Sequence, residues 1–156
     1  MGIEIERKFL VTSEAWRQQA SEVTHFSQGY LSRDPARTVR VRIAGPQAFL
    51  TIKGKTTGAS RAEFEYPLPV EDARQLLALS DGPVVEKRRH LCVVDGMTWE
   101  VDEFLGANAG LVVAEIELVA ESQAFTRPAW LGEEVTGDGR YVNANLAVHP
   151  FTSWPR

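Results

Sequence analysis

The chain has 156 residues, 44% hydrophobic and 24% charged, the balance of a soluble globular domain able to bury a core. A net charge of −4 excludes a generally basic, nucleic-acid-binding surface, and a single cysteine excludes a disulfide framework or a Cys-based zinc site. No run approaches the roughly eighteen apolar residues a spanning helix needs, and the N-terminus has no apolar signal core, so the expectation is a cytoplasmic single domain over residues 1–156, with no membrane and no nucleic-acid partner.

Residues 1–11 alternate, with Glu4, Glu6 and Lys8 on one face of a strand and Ile3, Ile5, Arg7 and Phe9 on the other. Arg7 on this register is structural. A short helix is expected over 14–20, capped by Thr12 or Ser13, and a strand over 25–32. Arg33-Asp34-Pro35 is turn chemistry. Residues 38–43 put Arg40 and Arg42 on one face and Val39, Val41 and Ile43 on the other. A strand over 48–53 carries Thr51 and Lys53 opposite Leu50 and Ile52, and 55–60 is a small-residue loop. Residues 61–66 set Glu63 and Glu65 against Phe64 and Tyr66, and Pro67 is expected to end that strand.

The apolar spacing of 70–79 predicts a helix on the outside of the sheet, stopped by Asp81-Gly82-Pro83. A long strand over 84–94 carries Lys87 and Arg89. It also holds Cys92, whose apolar neighbours mark an inert buried thiol. Asp95-Gly96 makes a hairpin turn into a strand over 98–104 bearing Glu100 and Asp102. After a loop over 105–110, a strand over 111–119 places Glu115 and Glu117 together. The chain is mixed from Glu121, with a short helix over 140–147 and a poorly ordered tail over 148–156. About eight strands joined by turns favour a mostly β, α+β fold, an antiparallel sheet closed or nearly closed, with a few flanking helices.

Collected on one face, the polar residues fall into same-sign pairs: Glu4/Glu6, Arg40/Arg42, Glu63/Glu65, Lys87/Arg89, Glu100/Asp102 and Glu115/Glu117. A solvated sheet face would mix signs along each strand, and like charges side by side repel. Turned inward by a barrel, these groups would be costly unless paired or bound to ions. A polyanion with divalent cations resolves the cost. Lys8, Arg40, Arg42, Lys53, Lys87 and Arg89 would hold phosphate oxygens, and the carboxylates would hold Mg²⁺ or Mn²⁺.

This ordered set resembles the CYTH superfamily, the triphosphate tunnel metalloenzymes. The most specific piece is Glu4-x-Glu6-x-Lys8, which matches the family's Glu-x-Glu-x-Lys signature, and the later pairs follow in the family's order. Residues 135–143 are similar to the segment that plugs one tunnel mouth in short bacterial members. The resemblance implies an eight-stranded antiparallel closed barrel and metal-dependent hydrolysis of a triphosphate, inorganic tripolyphosphate first. It implies Glu4, Glu6 and Lys8 as catalytic, Glu4, Glu6, Asp102, Glu115 and Glu117 as metal ligands, and Glu63, Glu65, Glu100 and Arg140 as supporting, with Glu63 and Glu65 either second-metal ligands or, the reading favoured, partners of tunnel bases, and Arg140 either reaching a phosphate or on the surface. Cyclisation of ATP, hydrolysis of thiamine or nucleoside triphosphates, and a non-catalytic polyphosphate sensor are the alternatives. The sequence leaves monomer or homodimer open.

Overall fold

Two-residue alternation needs a sheet with unlike faces, and the computed structural model, which describes residues 2–155, folds the chain that way. Its strands are β1 (Gly2–Val11), β2 (Ala20–Ser32), β3 (Arg37–Ala44), β4 (Gln47–Gly54), β5 (Ser60–Leu68), β6 (Val85–Val94), β7 (Met97–Phe104), β8 (Val112–Glu117) and β9 (Leu131–Glu134). They pair antiparallel in the order β5-β4-β3-β2-β6-β7-β8-β1-β9, and a further β1–β5 pairing closes the first eight into a barrel. The helices are α1 (Val70–Leu77) and α2 (Asn143–Val148). Met1, expected in the first strand, and Arg156, expected in the tail, lie outside the described residues. No helix among the described residues is long and apolar enough to cross a membrane.

β1 is the closing seam. One edge pairs with β8 from Glu6 to Leu10; the other pairs with β5 from Gly2 to Ile5 and then with β9 at Phe9 and Val11. Three apolar clusters hold the barrel from outside and at one end. Phe9, Trp99 and Trp130 pack edge to face at 5.7 and 5.9 Å with Cys92, Val101, Ala114 and Ile116, under a 3-10 turn at Ala15–Gln18 that buries Trp16. Burial raises the Cys92 thiol, as an inert core cysteine requires. α1 lays Ala73 on Val41 and Ala48 of β3 and β4. It is tied to β2 where Gly29 admits Ser80: a Cβ there would stand 2.1 Å from Ser80 Oγ. α2 stops one end of the barrel, its Ala144, Leu146 and Ala147 packed among Tyr30, Val85, Phe104 and Val113.

Five expectations are corrected. The helix over 14–20 is only the 3-10 turn, because β2 starts at Ala20 to match the length of its partner β6. β5 runs through Pro67; beyond Glu63 it has no partner on the β1 side, so the missing N–H costs no ladder bond there. β8 stops at Glu117, short of Val119. The helix over 140–147 divides into a 3-10 turn, Gly139–Tyr141, and α2. The tail folds back: Phe151 N donates to Asn108 Oδ1 at 2.8 Å, and Trp154 packs on Tyr141 at 5.3 Å. The sequence also missed β9, whose Leu-Gly-Glu-Glu has no alternation and pairs only because β5 leaves β1 free.

Candidate active site

Register puts the charged residues of neighbouring strands side by side on the inner face. Glu4 stands opposite Arg61, Lys53 opposite Glu63, Arg89 opposite Asp102, Lys8 and Glu100 opposite Glu115, and Glu6 opposite Glu117. Together they surround a cavity of about 260 Å³ inside the barrel, lined by Glu4, Glu6, Lys8, Arg40, Arg42, Lys53, Glu63, Glu65, Lys87, Arg89, Glu100, Glu115 and Glu117. Tyr30 is the one aromatic among the described residues lining it.

The charges inside separate into a carboxylate wall and a cationic floor. On the wall, one carboxylate oxygen each from Glu4, Glu63 and Glu117 lies within 4.8 Å of the others. Lys53 Nζ donates to both Glu4 oxygens at 2.9 and 3.0 Å and stands 3.5 Å from Glu63, while Arg61 Nε reaches Glu4 at 3.3 Å. Beside them, Arg40 donates to Thr51 Oγ1 at 3.1 Å, and that hydroxyl donates to Glu65 at 2.9 Å. Glu63 and Glu65 therefore do pair with tunnel bases, and Glu63 belongs to the carboxylate trio as well.

The floor is built on Asp102, which has 0% exposure. It accepts Lys87 Nζ at 2.6 Å and Arg89 Nε and Nη2 both at 2.8 Å. Asp102 is not one of the carboxylate trio. It lies under the cations, with both oxygens occupied. Gln28, fully buried, accepts Arg42 Nε at 2.9 Å and donates to Asn143 Oδ1 at 3.0 Å.

Titration behaviour follows this separation. Burial, then Arg40 and Arg89, pushes the Arg42 guanidinium down to about 9. Burial and Arg40 also lower Lys53. On the acidic side, burial and Glu6 raise Glu115, and burial with Glu4, Glu100 and Glu63 raises Glu117. Burial alone would raise Asp102, but Arg89 and Lys87 hold it below the usual carboxylate range. The cavity thus crowds like charges on each side, and the pairs between the two sides, such as Lys53 with Glu4 and Arg89 with Glu100, offset that crowding only in part. A molecule bringing phosphate oxygens and divalent metal together satisfies both.

Arg7 and Arg140 lie outside the cavity, Arg7 as its register predicts. Arg7 is outside the barrel in a bidentate pair with Glu134, at 2.8 and 2.6 Å, a structural role. Arg140, expected as supporting, is on the surface, its Nη2 2.7 Å from Asp138 and its side chain 64% exposed. Sequence reasoning missed Arg61, Thr51, Gln28 and Asn143. Arg61 had a signal, since it continues the Glu63/Glu65 alternation on the same face, Thr51 shares the face of Lys53, and Asn143 closes the segment that resembles the plug; Gln28 carried none.

The carboxylate trio suits a hard cation: all its donors are oxygen, and Mg²⁺ or Mn²⁺ prefer such sets shared with phosphate. The CYTH domain matches residues 2–142. The chain is 48% identical to an inorganic triphosphatase of Acetivibrio thermocellus over 155 residues, 99% of each chain. It is 37% identical to an inorganic triphosphatase of Nitrosomonas europaea over 150 residues, 93% of this chain and 97% of the other. A crystal structure of an inorganic triphosphatase superposes with a TM-score of 0.66 at 35% identity, covering 98% of this chain and 97% of that one. With the signature residues gathered inside a closed eight-stranded barrel, this chain belongs to the CYTH family.

Proposed function

We propose that the chain hydrolyses inorganic tripolyphosphate to pyrophosphate and orthophosphate, using Mg²⁺ or Mn²⁺, as a single domain over residues 1–156 in the cytoplasm. The observation that carries this is the division of one cavity into a cationic floor and a carboxylate wall. At about 260 Å³ it is smaller than the roughly 300–1,000 Å³ of pockets for drug-sized molecules. Among the described residues its lining is mostly charged, with Tyr30, Val142 and Ala144 giving little apolar surface for a nucleobase or thiamine ring, which favours the bare phosphate chain over nucleoside or thiamine triphosphate.

Lys8, Arg40, Arg42, Lys53, Lys87 and Arg89, joined by Arg61, grip the phosphate oxygens, replacing their present carboxylate partners in part. Glu4, Glu63 and Glu117, with Glu6 and Glu115 close by, would hold the metal, and Asp102 serves as anchor of the floor. The chemistry a divalent cation would supply there is neutralisation of phosphate oxygens and polarisation of the phosphoryl group. Catalysis is positioning and charge stabilisation, with Glu4, Glu6 and Lys8 at its centre. Water attacks the terminal phosphorus, the anhydride P–O bond breaks, pyrophosphate leaves with the electron pair, and Glu6 or Glu115 takes the water's proton.

The test is a panel of tripolyphosphate, ATP and thiamine triphosphate with released phosphate and cyclic AMP as readouts, with and without chelator. Tripolyphosphate should turn over fastest, only with Mg²⁺ or Mn²⁺, and without cyclic AMP. Cyclic AMP as the main product, or tight tripolyphosphate binding without turnover, overturns the reading.

A further inference from the structure

Asn143 is the first residue of α2, the element that stops one end of the barrel, and its side chain lies among the tunnel cations. Its amide oxygen accepts Lys87 Nζ at 2.7 Å and Gln28 Nε2 at 3.0 Å. Lys87 is 1% exposed, and its only other acceptor among the described residues is Asp102. Gln28 in turn accepts Arg42. One neutral oxygen therefore links two buried cations on different strands, Lys87 of β6 and, through Gln28, Arg42 of β3. Without it, Lys87 has Asp102 alone to point at, away from the cavity. Val142 and Ala144, on either side, also line that cavity, so this is where the plug meets the site.

We propose that Asn143 is a positioning residue: its amide oxygen holds the Lys87 ammonium toward the phosphate chain and ties the plugging helix to the cationic floor. It rests on the tripolyphosphate reading above and deepens it. Asn143 acts through Lys87 and needs no contact with the substrate.

The experiment is a double-mutant cycle of Asn143→Leu and Lys87→Met, read by tripolyphosphate binding in calorimetry with Mg²⁺ and by KM and kcat. Losing one hydrogen bond to a charged group predicts weaker binding by roughly ten- to a hundredfold for Asn143→Leu, expressed mainly in KM. In the Lys87→Met background the same change should add less than about threefold, because the partner is already gone. Asn143→Asp, which keeps the acceptor, should recover most of the loss. Gln28 has a second acceptor in Tyr30 Oη at 3.2 Å, which these substitutions leave in place, and where the Leu variant melts early, Asn143→Ala is used instead. An effect of equal size with and without Lys87 would overturn the proposal, as would wild-type binding in Asn143→Leu. A wild-type protein that binds tripolyphosphate without hydrolysing it would refute the enzymatic reading and leave the binding cycle decisive for Asn143.

Discussion

Asp102→Asn distinguishes an ion-pair anchor from a metal ligand. Asp102 accepts three charge-assisted hydrogen bonds, at 2.6, 2.8 and 2.8 Å, with no exposure to solvent. Removing one partner of such a buried pair costs about 3–5 kcal/mol, because Lys87 and Arg89 remain buried beside Arg42. For a chain of this length that lowers Tm by about 6–20 °C. The measurement is thermal unfolding at pH 7 in chelator, where metal contributes nothing. An anchor predicts the full loss under those conditions. A metal ligand predicts almost none, since neutralising one of several crowded carboxylates in a metal-free site relieves repulsion. Tripolyphosphate should restore part of the loss by supplying the missing anion. The pH dependence adds an independent check. The folded Asp102 is held below its ordinary value, so its contribution is complete above the unfolded carboxylate pKa and disappears as pH falls through the folded one. Asp102→Asn should lose that acid-limb component. A Tm within about 2 °C of wild type would refute the anchor role, since even 1 kcal/mol would be visible.

The remaining expectations concern the carboxylate wall. Glu4→Gln/Glu6→Gln should abolish tripolyphosphate hydrolysis, measured as released phosphate, while circular dichroism shows the barrel intact; a folded and fully active double variant would refute the mechanism. Glu100, Glu115 and Glu117 are raised chiefly by burial, so between the ordinary Glu value and their raised ones the folded, metal-free protein binds more protons than the unfolded chain. The contribution of these three groups to stability should therefore be complete below the ordinary Glu value and be lost as pH rises through the raised ones. Mg²⁺ should remove that loss; a metal-free Tm that rises through the same interval would contradict it. At limiting Mg²⁺, where protons compete with the metal for these carboxylates, the acid limb of turnover should lie above the ordinary Glu range, read from kcat/KM against pH.

What the sequence determined by itself is which residues share a face. In a strand this is a local property with a period of two, so Glu4, Glu6 and Lys8, or Lys87 and Arg89, must point together wherever the strand lies. The same-sign pairing then demanded an enclosed, ion-binding interior, and the ordered set identified the family. Which acid meets which base is not local. It is set by register and by closure at β1. That is why Asp102 falls under Lys87 and Arg89 rather than beside Glu4, why Glu63 completes the carboxylate trio, and why Pro67 can sit within a strand. β9 and the ordered tail have no periodic signal, because each forms on a surface that exists only after the barrel has closed. Asn143 is the extreme case: a neutral side chain whose segment resembles the plug but whose partner no local pattern names, brought to Lys87 only when α2 stops the end of the barrel.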